Sequence, residues 1–75
     1  MRNITLLGVG EKAEIREFTN TTVAGKLMAM GMLPGSMVLL VRKAPFGGAF
    51  YIKAHNHYVA LRKEEAKHVW ITNGK

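Results

Sequence analysis

The sequence predicts a mainly β fold, a small and strongly bent barrel with one short α-helix. Three observations lead there. Gly, Pro and Asn cut the 75 residues into short pieces, with a turn signal about every eight to twelve residues. Most pieces alternate or run continuously apolar over strand lengths, and a single segment carries a helical period. Hydrophobic residues make up 48% and charged residues 21%, the balance of a folded globule, while cysteine is absent. The core must therefore hold without disulfides. A chain of this length has room for one core, so residues 1–75 are read as one domain.

Residues 4–7 form a first extended piece, closed by Gly8-Val9-Gly10. Residues 12–18 alternate, with Ala13 and Ile15 inward and Glu14 and Arg16 outward, as in a half-buried strand. Asn20-Thr21-Thr22 offers side-chain oxygens to cap a helix over 23–30. There Val23, Leu27 and Met30 share a face. Gly31 can adopt the left-handed conformation that stops the helix, and Leu33-Pro34-Gly35 turns the chain into a central strand over 36–43. That strand is apolar on both faces, with Met37, Leu39 and Val41 on one and Val38 and Leu40 on the other. Residues 44–49 are a loop. Residues 50–55 and 57–61 are strands turned at Asn56, 62–67 form one polar turn, and 68–72 are the last strand. The expected core is Val23, Leu27, Met30, Leu39, Val41, Ile52, Leu61, Val69 and Ile71.

Charge divides unevenly. Of eleven Lys and Arg against five Glu, the first 41 residues hold four bases and three acids, and the remainder seven bases and two acids. The basic field of the second half favours an acidic partner, whether nucleic acid, an anionic membrane surface or an acidic protein face. No apolar run reaches the roughly 18 residues of a spanning helix, and residues 4–9 are too short for a secretory core. A cytoplasmic protein is expected.

Catalytic chemistry has little to work with. There is no Asp, Ser36 is the single serine and Cys is absent, which excludes Ser-His-Asp and thiol nucleophiles. Glu64 and Glu65 are adjacent and diverge, so they cannot flank a substrate. Gly8-Val9-Gly10 leads into a strand, and Pro45-Phe46-Gly47-Gly48 lacks the Lys-Ser or Lys-Thr end of a phosphate loop. His55, His57 and His68 are the metal candidates, but a turn at Asn56 separates the first two and the carboxylates lie elsewhere. The expectation is no enzyme, no cofactor and no metal site.

Binding residues are easier to find. Met28 points away from the buried helix face and is a candidate for an apolar partner contact, with Met32 beside it. Arg42, Lys43, Arg62 and Lys63 are the flanking basic field. Trp70 alternates outward with His68 against inward Val69 and Ile71, either as a cover for a barrel end or as an anchor for a partner. Arg62 is read either as an interface residue or as a structural partner of Glu65.

Three segments carry a family resemblance. They are Lys26-Leu27-Met28-Ala29-Met30-Gly31-Met32-Leu33-Pro34-Gly35, then Ala44-Pro45-Phe46-Gly47-Gly48-Ala49, then Val59-Ala60-Leu61-Arg62-Lys63-Glu64-Glu65-Ala66. Together they resemble the FeoA family of small ferrous iron transport proteins, over nearly the whole chain. The same domain forms the tail of diphtheria-toxin-repressor-type iron regulators, but the free-standing FeoA is the closer match. The resemblance implies a five-stranded SH3-like barrel, a single FeoA/SH3-like domain over 1–75. It also implies a cytoplasmic accessory protein that works with FeoB, the membrane GTPase and ferrous iron transporter, and so lies at the inner membrane through that partner. Lys26 stands where the family commonly has Arg, which exchanges a planar fork for a single ammonium. Gly48-Ala49 replaces a usual Asp-Pro.

The leading expectation is thus a protein-binding module of ferrous iron uptake. The alternatives are a basic small barrel that binds nucleic acid, supported by the pI of 10.1, and an iron-sensing regulatory module. Against nucleic acid stands the scatter of Phe50, Tyr51, Tyr58 and Trp70 along the sequence. A proline-peptide receptor of the eukaryotic SH3 type needs an aromatic-lined groove, usually with acidic residues facing basic ligands, and this chain has the opposite charge.

Overall fold

The computed structural model describes residues 2–73, and among them six strands form one antiparallel sheet in the order β1-β6-β2-β3-β4-β5. The strands are β1 (Arg2–Asn3), β2 (Lys12–Phe18), β3 (Met37–Lys43), β4 (Ala49–Ala54), β5 (His57–Arg62) and β6 (Val69–Asn73). Two helices accompany them, α1 (Thr21–Ala29) and the single turn α2 (Lys63–Ala66). Extents of 27 × 27 × 25 Å show a sheet curled upon itself. Two register shifts help to bend it, one between Ile15 and Glu17 on β2 and one between Leu40 and Arg42 on β3, since a bulge sharpens local twist. The expected barrel is present, with six strands where five were expected; the additional one is the two-residue β1, which pairs Arg2 with Ile71 and Asn3 with Trp70.

Residues 4–7 depart from their extended reading. Ile4–Leu6 form a 3₁₀ turn, in which the Asn3 side chain accepts the Thr5 amide at 3.0 Å and the Leu7 amide bonds the Ile4 carbonyl at 3.1 Å. A period of three residues brings Ile4 and Leu7 to one side, and both are fully buried. An alternating strand would have sent them to opposite faces.

Helix α1 begins as expected: the Asn20 side chain accepts the Val23 amide at 3.0 Å. Its end differs from the helical reading. Met30 is the C-cap, Gly31 takes φ +82°, the Gly31 amide bonds the Met28 carbonyl at 3.0 Å and the Met32 amide bonds the Leu27 carbonyl at 2.9 Å. This is a Schellman motif, which reverses the chain and sets the residue after the glycine against the helix interior. Met32 is consequently 0% exposed beside Leu27, whereas Met30, expected in the core, is 37% exposed. The expectation that Met32 faces a partner is corrected on this ground: its side chain is core.

The central strand also presents the opposite face to that expected. Val38 and Leu40 are buried, while Val41 is exposed and Leu39 half-buried. A strand apolar on both sides gives no periodic signal for its inward face; register supplies it here, pairing Val38 with Ala13 and Leu40 with Ile52, all buried. Ile52, Leu61, Val69, Ile71, Val23 and Leu27 occupy the core as expected, joined by Phe50, Val59 and Ala66. None of the core residues is charged or polar.

Candidate functional site

The basic residues singled out in the sequence gather around the loop 44–49. Its ends are closed by the Ala44 amide bonding the Ala49 carbonyl at 2.9 Å. Lys43 pairs across to Phe50, Ala49 pairs with Arg62, and Lys63 follows as the first residue of α2. Arg42, Lys43, Arg62 and Lys63 are all exposed. The Arg42 guanidinium lies 5.1 Å from the Tyr51 ring centroid, and the Lys43 ammonium 5.8 Å from that of Phe50. These cations rest on aromatic faces and keep their charge toward solvent.

The relation of Arg62 to Glu65 is through the backbone. The Arg62 amide donates to Glu65 Oε1 at 3.0 Å, half of a capping box that starts α2. The carboxylate is otherwise taken by Lys26, whose Nζ lies 3.1 and 3.0 Å from its two oxygens. A single ammonium thus meets both oxygens and ties α1 to α2. Among the described residues the Arg62 guanidinium makes no ion pair, which leaves its side chain to the surface.

These contacts hold the Glu65 carboxyl below the ordinary glutamate value of 4.5, the Arg62 amide contributing most and the Lys26 ammonium next. Glu11 is lowered likewise, by the Gly8 amide at 2.6 Å and then by Arg2 at 2.9 Å. A depressed carboxyl stabilises the fold above its unfolded value and ceases to do so as pH falls through its folded value. The melting temperature should therefore fall as acid is added below about pH 4.5, and the fall should be shallower in Glu65→Gln, which keeps an acceptor for the Arg62 amide but does not titrate. Parallel melting curves of the two proteins from neutral to pH 3 would refute this role for Glu65.

Met28 is 48% exposed, at the last turn of α1. Trp70 is half-buried on β6, between its partners Asn3 on β1 and Glu17 on β2. His68, its neighbour on that face, lies with Nδ1 3.0 Å from Thr19 Oγ1. His55 and His57 flank the hairpin between β4 and β5, with His55 in the two-residue turn at φ +56°. Among the described residues no group of three or more His, Cys, Asp or Glu is placed to hold a metal ion. Anaerobic calorimetry is expected to give no tight site for ferrous iron or zinc; one stoichiometric site lost in His55→Ala or His57→Ala would refute that.

A second surface was not singled out in the sequence. On the outer face of the sheet, Lys12, Leu39, Lys53 and Tyr58 stand in one cross-strand row, with Arg42 opposite Tyr51 in the next. The Lys53 ammonium lies 5.4 Å from the Tyr58 ring centroid. Lys12, Met37, Leu39, Lys53 and His55 line an open depression of about 280 Å³. The signal for this row was available: a two-residue turn at His55-Asn56 puts residue 53 opposite 58 and residue 51 opposite 60.

A curled six-stranded antiparallel sheet with one α-helix of more than a single turn and exposed cations gathered at one loop defines a small SH3-like domain. A family model, the FeoA domain, matches residues 2–73, and the chain belongs to the FeoA domain family. The solution structure of the FeoA protein from Chlorobium tepidum superimposes with a TM-score of 0.85 at 23% identity, covering 92% of this chain and 67% of that one. Iron(II) transport protein A from Clostridium thermocellum is 31% identical, with a TM-score of 0.81, over 92% of this chain and 43% of that one. FeoA of Stenotrophomonas maltophilia, crystallised in complex with zinc, is 26% identical, with a TM-score of 0.80, over 96% of this chain and 91% of that one. No helix among the described residues is long and apolar enough to cross a membrane.

Proposed function

We propose that this protein is a cytoplasmic accessory of ferrous iron uptake that binds a FeoB-type membrane GTPase and transporter. The observation that carries the reading is the FeoA domain match over residues 2–73. The relative from Clostridium thermocellum is an iron(II) transport protein, and the one from Stenotrophomonas maltophilia has been put forward as a ferrous iron transport activating factor. The contact surface combines Met28 as apolar anchor with the basic field of Arg42, Lys43, Arg62 and Lys63, and Trp70 is held as the alternative anchor. Met32 takes no part, because it is buried. Binding localises the protein to the inner membrane and needs neither cofactor nor catalysis.

The test is capture of the full-length transporter from detergent-solubilised membranes by the immobilised protein. Met28→Asp should mainly speed dissociation, because removing a desolvated anchor acts on the off-rate. Arg62→Glu should slow association and flatten its salt dependence, because exposed charges steer encounter over a screening length of about 8 to 10 Å. Both variants should melt like the parent. Unchanged binding in both well-folded variants would move the contact to Trp70, and no capture by the parent protein would end the reading.

A second reading, single-stranded nucleic acid, gains one observation. Tyr51 and Tyr58, on the two strands of one hairpin, are diagonal neighbours on one sheet face, since Tyr51 pairs with Ala60 and Lys53 with Tyr58. Anisotropy of a labelled oligonucleotide discriminates: binding that is lost in Tyr58→Ala supports this reading, and a flat titration removes it.

A further inference from the structure

Phe46 stands outside everything the fold needs. It is wholly exposed (106%) at the tip of the loop 44–49 and has φ +65°. The left-handed region suits glycine and is a true outlier for a bulky side chain. Leaving a large apolar ring in water on an unfavourable backbone costs stability, and such strain marks a place where function holds the conformation. Around this loop stand Arg42 and Lys43 at its entrance, Arg62 opposite Ala49, and Lys63 next in sequence. Glu64 follows Lys63 on α2, and the Glu65 carboxylate is occupied by Lys26.

From this arrangement we propose that, in protein not engaged with a transporter, this end of the barrel rests directly on an anionic lipid surface, with Phe46 as an aromatic wedge among the headgroups and the four cations on the lipid phosphates. An aromatic ring at the tip of a loop whose base carries Lys and Arg matches an interface that is apolar within and negative at its face. For the Phe46 ring a protein partner is the poorer fit. Anchors for proteins sit in packed patches whose neighbours exclude water, whereas Pro45 before Phe46 is exposed and Gly47 after it is only half-buried. The depression on the outer face of the sheet is lined by Lys12, Met37, Leu39, Lys53 and His55, none of which belongs to this loop. A bilayer accepts a lone projecting ring without a matching pocket. The contact is weak by itself, as a few cations and one ring give reversible binding. It goes beyond attachment through a transporter, because it requires no protein in the membrane.

The experiment is co-sedimentation with sucrose-loaded, protein-free vesicles, one set of phosphatidylglycerol and phosphatidylcholine in equal parts and one of phosphatidylcholine alone. The parent protein should pellet with the anionic vesicles and stay in the supernatant with the neutral ones. Phe46→Ala should lower the partition coefficient about tenfold, as expected for partial burial of one aromatic ring. Lys43→Gln combined with Arg62→Gln should lower it by about twenty-fold and weaken its salt dependence. Phe46→Gly should bind as poorly as Phe46→Ala yet melt at a higher temperature than the parent, which separates loss of the ring from loss of the fold. Equal binding to both vesicle types, or no binding to the anionic set, overturns the proposal. So does a Phe46→Ala variant that pellets like the parent, and one that does so while losing transporter capture would identify Phe46 as a protein anchor. Because the vesicles hold no transporter, failure here leaves the proposed function standing.

Discussion

Met32→Asp is expected to leave the chain unfolded at neutral pH. The Met32 side chain is fully buried, so the change removes a large apolar group from the core, about 2 to 5 kcal/mol for truncation alone. It also introduces a carboxylate where no buried polar or charged residue is found among the described residues, a further penalty of several kcal/mol. A domain of this length has a total stability of only about 4 to 11 kcal/mol. Met28→Asp, four residues earlier and exposed, should change stability by no more than about 0.5 kcal/mol. Thermal melts followed by circular dichroism compare the two. A cooperative transition near the parent's in Met32→Asp would mean that the residue after Gly31 does not enter the core.

Leu27→Ala should cost about 2 to 5 kcal/mol, lowering the melting temperature by roughly 10 to 30 °C in a domain of this size. Leu27 is fully buried, and its carbonyl accepts the amides of both Met30 and Met32. Alanine preserves those backbone bonds and the helix propensity, so the loss reports side-chain packing between α1 and the sheet. A melting temperature within a few degrees of the parent's would show that α1 is not docked through this residue.

The two variants mark where the sequence was legible and where it was not. Ala13, Ile15, Ile52, Leu61, Val69 and Ile71 could be placed inside because each sits in a strand with a polar or partly polar opposite face. Residues 36–43 have no such contrast, so the choice between Leu39 and Leu40 was made by pairing with other strands, which local periodicity does not contain. Met30 and Met32 were exchanged for another reason. The helical period puts Met30 on the buried face of a helix that Gly31 stops, yet Met30 is the C-cap, and the Schellman motif at Gly31 turns the next apolar residue, Met32, into the core.

Legibility at the candidate site followed the same division. The unequal charge of the two halves pointed to Arg42, Lys43, Arg62 and Lys63, and the pairing of β3, β4 and β5 assembled them around one loop. Lys53 and Tyr58 meet only through the two-residue turn at His55-Asn56; a turn at Asn56 alone shifts the register by one and sets Lys53 opposite Val59 instead. Phe46 lies in a Gly- and Pro-rich loop whose sequence carries no signal for a projecting ring; its exposure and its backbone angle are properties of the folded chain.

The placement of β6 between β1 and β2 has a consequence for how the protein is made. β3, β4 and β5 are joined by short connections and can pair as soon as they are synthesised, while β6 must insert between strands from the opposite end of the chain. Until it does, β2 has an unpaired edge, and the buried Ile15 and Ile71 have not yet met. Synthesis is vectorial, so the nascent chain on the ribosome is a partial sheet with an open apolar seam, the kind of species that invites chaperone binding or misassembly. Closure is then a late, long-range event of the slow kind, and the insertion of β6, rather than formation of the helix, sets the moment at which the apolar seam is covered.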